Sequence, residues 1–427
     1  MGTEIVVVGA GVIGSSIALE LARGGHRVTV LDRAAGPGQG STSASSAVVR
    51  YNFSTAAGVA AAWEAHYGWL DWAGHLGRDV GELARFEKSG LVMLDVEAAP
   101  RASWLPLFDE AGVPYEEWDS ATLAARVPGI DTGRYWPPKP IADSRFWDDA
   151  ETTLGAVYTP DAGYVTDPAL AAVNLATAAA AYGAEFRFRS QVTSVSAKGG
   201  RVASVGLADG TRIACDVVVN AAGPWSSALN RLAGVGADFA VNVRPMRQEV
   251  AHVAAPAGYA GPAVADMDLG TYFRGEVGGG LLIGGTEPEC DPFQWLDDPD
   301  DAAPHPTMAV FEAQVTRAAR RLPDLAVPNR ARGVAGVYDV ADDWTPIYDR
   351  TDLAGFYVAI GTSGNQFKNA PVVGRLLTAL IEQVENGADH DADPVRFLAP
   401  HTGAKIDLGA FSRRRSPNVG SSGTVMG

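Results

Sequence analysis

Short apolar runs closed by glycine alternate along this chain with longer segments whose apolar residues recur every three or four positions. Residues 5–8 (Ile-Val-Val-Val) form an unbroken β-branched run, the pattern of a strand buried on both faces. Ile13, Ile17 and Leu21 follow on one helical face, and Gly24-Gly25 ends that helix. Residues 27–31 alternate and stop at Asp32, so residues 4–32 read as one strand–helix–strand unit. The apolar stretch 5–22 is not read as a signal peptide or a membrane span. Gly2, Thr3 and Glu4 precede it instead of basic residues, and Gly9, Gly11, Gly14 and Glu20 interrupt it. Val217, Val218 and Val219, and later residues 356–360, predict two more buried strands. Helices are predicted over 59–77, from the Thr166-Asp167-Pro168 start to Tyr182, and over 370–385. Between them, the turn pairs Gly199-Gly200 and Asp209-Gly210 predict a β-meander. Residues 85–155 carry Trp104, Trp118, Trp136, Trp147 and several prolines. Residues 226–330 alternate poorly around a short strand at 281–283. The expected division is a first domain of residues 1–84, 156–225 and 331–400, a second of residues 85–155 and 226–330, and a polar tail of residues 401–427.

Charge and cysteine content narrow the function. Asp and Glu number 50 against 34 Lys and Arg, a net charge of −16, which argues against nucleic acid and anionic membrane as main partners. Cys215 and Cys290 are too few for a disulfide scaffold or a Cys-rich metal site, and they fit a reducing cytoplasm. The histidines are scattered without metal-ligand spacing, and no GxSxG nucleophile signature occurs, so no metal site is expected.

Gly9-Ala10-Gly11-Val12-Ile13-Gly14 follows a strand and opens a helix, the setting of a dinucleotide fingerprint. Gly9 makes the tight turn, Gly11 lets a pyrophosphate approach the backbone, and Gly14 lets the helix pack on the strand. The helix start at Val12 and Ile13 offers N–H groups and a positive dipole end to phosphates. Asp32, followed by Arg33, stands where a carboxylate meets ribose hydroxyls. It would repel a 2′-phosphate, which disfavours NADP. The fingerprint leaves FAD and NAD both open.

Three more segments stand at strand ends. Residues 34–46 are Gly/Ser/Ala-rich, the composition of a flexible linker. They run directly into Val48-Val49-Arg50 within a domain, and their small residues and hydroxyls also suit close approach to a flat polar ring. Asn220-Ala221-Ala222-Gly223-Pro224-Trp225 follows a buried strand, at the end where open α/β sheets bind ligands. Gly361-Thr362-Ser363-Gly364-Asn365-Gln366-Phe367-Lys368 links the last strand to its helix. Each alone is compatible with simple turn chemistry.

Together with the fingerprint, these segments resemble the D-amino-acid-oxidase-like flavoprotein family, most closely its sarcosine oxidase and dimethylglycine dehydrogenase branch. The resemblance covers nearly the whole chain. It implies an α/β fold: a Rossmann-like FAD-binding domain with an interleaved α+β substrate domain on a mainly antiparallel sheet. It implies that Ser41, Thr42, Ser43, Ser45 and Ser46 line the flavin and pyrophosphate. Ala221, Ala222, Gly223 and Trp225 would close over the adenosine half, with Val192 against adenine. Gly361, Ser363, Gly364, Asn365, Gln366, Phe367 and Lys368 would border the flavin, where a helix N-terminus stabilises the reduced ring.

By the same resemblance Arg50 and Lys368 clamp a substrate carboxylate. A carboxylate leaving water needs charge-assisted partners worth about 1.5–3 kcal/mol each. The competing role for each is a solvated or structurally paired cation. Tyr338 matches a position near the flavin face. Tyr272 and Arg274 are expected in the substrate pocket, with Arg244 and Arg247 as weaker candidates and core packing as the alternative for Tyr272. Branch members that attach flavin covalently use a cysteine, matched here by Gly336, or a histidine, matched by Ala44, so FAD is expected to be noncovalent. The lysine that promotes reaction with oxygen in the sarcosine oxidase-like enzymes is matched by Leu282, which places direct oxidase activity in question.

The leading expectation is therefore FAD-dependent oxidation of the C–N bond of a small carboxylate-bearing amine, an amino acid or N-alkyl amino acid. The alternatives are oxidation of a 2-hydroxy acid, an FAD-carrying subunit that passes electrons to a partner or another acceptor, and a plain NAD dehydrogenase. The expected location is cytoplasmic, with no nucleic-acid or membrane partner.

Overall fold

The computed structural model describes residues 2–425. Its first body is a six-stranded sheet ordered Ile347–Arg350, Phe356–Ile360, Val217–Asn220, Glu4–Val8, Arg27–Leu31, Glu185–Arg187. All neighbours are parallel except the edge strand Ile347–Arg350. The unbroken apolar run at 5–8 follows from burial on both faces. Ile5 and Val7 pack with Leu19, Leu175, Leu376 and Leu377 of three helices, Val12–Arg23, Pro168–Ala181 and Ala370–Glu385. Val6 and Val8 face Val202, Val205 and Leu207 of the antiparallel meander. Alternate side chains of a strand point to opposite faces, so both sets must be apolar.

The second body is a nine-stranded, mainly antiparallel sheet. Only Ala263–Asp266 and Leu91–Leu94 pair in parallel. Helix Met308–Arg321 covers one face, where Phe311, Val315 and Ala318 meet Phe273, Leu281 and Ile283. The other face carries Tyr272, Arg274, Leu282 and Gly284, which pair directly across neighbouring strands.

Four features depart from the sequence expectation. Strand Gly333–Ala341 bonds to Val243–Ala254, so it belongs to the large sheet although it follows residue 331. Ala156–Thr159 likewise pairs with Leu91–Leu94. The helix expected over 59–77 is split into Ala56–Leu70 and Trp72–Leu76, because the Asp71 side chain accepts from Gly74 N and caps the second. The segment from residue 401, expected to be a polar tail, is structured. Lys405–Asp407 pairs with Arg396–Leu398, and Arg413 is fully buried among Asp238, Asp349 and Asp391. Arg415 holds Asp343 at 2.8 Å, and Asn418 donates to Ser54 Oγ at 2.7 Å. The basic triplet therefore neutralises buried carboxylates and ties the segment across the molecule. Among the described residues no helix is long and apolar enough to cross a membrane.

Candidate active site

A cavity of about 510 Å³ runs along the carboxyl ends of the parallel strands. The fingerprint glycines shape its floor. Gly9 has φ +110°, and a Cβ there would meet Ala221 O at 2.2 Å; a Cβ on Gly14 would meet Gly9 O at 1.9 Å. Glycine is therefore required for the turn and for the strand–helix approach. Helix Val12–Arg23 starts at Gly11 without a side-chain cap, so its first N–H groups face the cavity, where Val12 N donates to Thr42 Oγ1 at 3.1 Å. Asp32 lines the cavity and also builds it: its carboxylate accepts from Ala10 N and Ala34 N, both at 2.7 Å.

Gly9, Gly11, Val12, Ile13, Asp32, Arg33, Ser41, Thr42 and Ser45 all border this space. So do Val192, Ala221, Ala222, Gly223, Trp225, Gly364, Gln366 and Phe367, brought in from three separate segments. At the outer end Arg33 lies over the Trp225 ring at 4.2 Å and pairs with Asp300, which accepts from Trp225 Nε1 at 3.0 Å. The long cleft, the uncapped helix start and the glycine floor fit a dinucleotide. FAD would be held by the fingerprint, Ser41, Thr42 and Ser45 at the pyrophosphate, and by Tyr338, Gly364, Gln366 and Phe367 at the ring end.

A second, smaller cavity of about 60 Å³ adjoins the first across Ser45, Tyr338, Gly364 and Phe367. Arg50, Lys368, Tyr272, Tyr338, Ser46 and Asn365 line it. Tyr272 OH donates to Ser46 Oγ at 2.9 Å. Gly364 has φ +68°, and a Cβ there would lie 2.3 Å from the Tyr338 ring, so the loop closes on the tyrosine only as glycine. Lys368 is buried, lies 4.4 Å over the Phe53 ring and donates to Asn365 O. Burial, then the neighbouring Arg50 charge, hold its amine well below the usual lysine range. Arg50 is buried and donates to Asn52 O and Val425 O; desolvation lowers it to about 10.

Other expected residues lie elsewhere. Arg274 does not line either cavity: its Nε donates to Ser46 O at 2.7 Å and it stacks over Tyr164 at 4.2 Å, so it supports the Ser46 wall from behind. Arg247 is buried against Glu249, Ala303 O and His305 O, and exposed Arg244 stacks on Trp295. Neither reaches the cavities. Ser43, Gly361 and Ser363 shape the loops rather than line them: Ser43 Oγ donates to Gly40 O, and Ser363 Oγ to Gly361 O. Asn365 and Lys368 border the small cavity, not the long one.

Glu287 and Val425, at and beside the small cavity, carry no sequence motif. Glu287, in Gly-Gly-Thr-Glu-Pro just past strand Gly280–Gly285, is buried and holds the left-handed φ of +49°. Its carboxyl is raised to about 8, chiefly by burial, and it lies within electrostatic reach of Arg50, Tyr272 and Tyr338. It stands first in the run Glu287-Pro288-Glu289-Cys290-Asp291, where nothing in the sequence separates it from its acidic neighbours. Val425 lines the small cavity from the segment expected to be a polar tail.

A doubly wound nucleotide domain whose cofactor cleft opens on an antiparallel sheet, with a buried cationic pocket between them, defines a dinucleotide-dependent oxidoreductase. Residues 4–380 match the family of FAD dependent oxidoreductases, and the chain belongs to that family. It is an FAD-dependent enzyme. It is 26% identical over 399 residues to glycine oxidase of Geobacillus kaustophilus, covering 90% of this chain and 94% of that protein. It is 27% identical to 4-methylaminobutanoate oxidase (formaldehyde-forming) of Paenarthrobacter nicotinovorans, covering 93% of this chain but 46% of that one. The fold matches the crystal structure of L-proline dehydrogenase from P. horikoshii with a TM-score of 0.75, 23% identity and 97% coverage of both chains.

Proposed function

We propose that this chain oxidises the C–N bond of an amino acid or N-alkyl amino acid, giving an imine. The observation that carries the reading is the pair Arg50 and Lys368, buried together in a small cavity that shares Tyr338 and Gly364 with the cofactor cleft. The names of the relatives, amino-acid oxidases and an N-methylamino-acid oxidase, support it.

When bound, FAD supplies the two-electron acceptor for the hydride leaving the carbon beside nitrogen. The chain positions that carbon. Arg50 and Lys368 bind the carboxylate, since an anion out of water needs charge-assisted partners. Tyr272, Tyr338 and the 364–367 loop exclude water around it. Residues Ala370–Glu385 start without a side-chain cap just beyond this loop, so their N–H ends favour negative charge nearby.

Leu282 shares the sheet face of Tyr272. We assign the electrons to an acceptor other than oxygen, because Leu282 stands where the sarcosine oxidase-like enzymes carry the lysine that promotes reaction with oxygen. Delivery to a partner subunit is one route. Both cysteines are free, and we place the protein in a reducing compartment, the cytoplasm.

Anaerobic bleaching of the flavin by D- and L-amino acids, N-methyl amino acids and 2-hydroxy acids tests the assignment. Bleaching by an amine is expected, with slow recolouring in air. Bleaching by hydroxy acids alone would overturn it.

A further inference from the structure

Val425 lines the small cavity, and its backbone is held at both ends. Its N–H donates to Glu287 Oε2 at 2.8 Å, and its carbonyl oxygen accepts from Arg50 Nη2. The donor and acceptor flank one Cα. An α-amino acid offers the same arrangement: nitrogen, carbon and a carboxyl group in sequence. We propose that residues 416–425 form a pseudosubstrate strap, in which Val425 occupies the place of an α-amino acid between Glu287 and Arg50 and must withdraw for substrate to enter. This rests on the assignment of Arg50 to the substrate carboxylate.

Three observations support the strap. The space left beside Val425 is about 60 Å³, room for a few waters. The segment is anchored by the ion pairs of Arg413 and Arg415 with Asp349, Asp391 and Asp343, and by Asn418, which donates to Asp343 and Ser54, so Val425 can withdraw by movement beyond residue 418 while these anchors stay. Glu287 holds a left-handed conformation that a residue with a side chain adopts at a cost, and such outliers concentrate at ligand sites.

The strap also defines the substrate. Glu287 is the residue that recognises the amine, and the single Cα between the two contacts selects an α-amino acid. An ω-amino acid puts its nitrogen too far from its carboxylate to satisfy both.

The test uses the FAD-loaded enzyme, as the full chain and as a chain stopped after Arg415, titrated with acetate and followed by the visible flavin spectrum. The shortened chain should bind acetate at least tenfold tighter, and a peptide of residues 416–425 should compete with acetate for it. Should the shortened chain prove unstable, Val425→Pro in the full chain removes the N–H that Glu287 accepts and should tighten acetate binding severalfold. Equal affinity in all forms, with Arg50→Ala still weakening acetate, overturns the strap and leaves the clamp standing. Acetate binding that ignores Arg50→Ala overturns the clamp itself. In anaerobic bleaching, the shortened chain should favour α-amino acids over 4-aminobutyrate by at least tenfold in kcat/KM, and Glu287→Gln should narrow that ratio. A preference for 4-aminobutyrate overturns the substrate assignment.

Discussion

Gly336 and Ala44 face each other across the junction of the large sheet and the Gly/Ser loop: a Cβ built on Gly336 would lie 2.7 Å from Ala44 Cβ. These are the two positions matched to the cysteine and the histidine that carry covalent flavin in the branch this sequence resembles. Neither side chain can form a bond to the ring. Acid precipitation should therefore leave the yellow colour in the supernatant, and colour retained in the pellet would contradict this. Gly336→Ala should force the two walls apart. Overpacking of this kind costs about 1–3 kcal/mol. A lower melting temperature for the loaded enzyme, partly rescued by Ala44→Gly, is the expected result.

Arg50→Ala and Lys368→Ala should each weaken a carboxylate ligand by about 10- to 150-fold, the equivalent of one charge-assisted hydrogen bond. FAD content should be unchanged, because both residues line the small cavity and not the long one. Titration of the flavin spectrum with acetate measures this. Loss of FAD in either variant would mean that the side chain holds the loop rather than the ligand.

The pH dependence of turnover follows from the same pair. Lys368 is held below its usual range by burial and by Arg50. An incoming carboxylate reverses the second effect and favours the charged amine. The substrate nitrogen must lose a proton before its C–H bond can break, and Lys368 gains one as the carboxylate arrives. The rate should rise with pH, and Lys368→Met should move the midpoint upward, toward that of the free amine. A midpoint unmoved by this substitution would separate Lys368 from the proton.

The parallel half of the fold was legible because local rules suffice there. Continuous apolar runs at 5–8, 217–219 and 356–360 name buried strands, and a turn that demands glycine names the cofactor loop. The large sheet was less legible. Gly333–Ala341 pairs with a strand some way back in the chain, and nothing in its own residues names that partner. The site divides the same way. Arg50 and Lys368 stand in loops whose composition marks them, whereas Arg274, equally basic, turns behind the wall to hold Ser46 O. Glu287 and Val425 carry no pattern at all. Their role comes from burial and from each other.

Buried histidines, His75 and His66 among them, make stability depend on acid pH. His75 is held down to about 3 and His66 to about 4, both mainly by desolvation. His75 stacks on Trp72, and His66 lies against Trp63 and takes part in a hydrogen bond with Tyr51. An unfolded histidine titrates near 6.5. Below that value the unfolded chain binds protons that the folded chain refuses, so stability falls as pH falls from about 6.5 toward these lower values. Well inside this window the loss from His75 approaches about 1.4 kcal/mol per pH unit. Glu287 acts in the opposite sense. Its folded value of about 8 lies above that of an unfolded glutamate, so its contribution is complete below about 4.3 and is lost as pH rises to about 8. Urea unfolding of the loaded enzyme at pH 5, 6, 7 and 8 checks both. His75→Phe should flatten the acid side and Glu287→Gln the alkaline side. A wild-type acid slope kept intact by His75→Phe would assign the acid loss to the carboxylates instead.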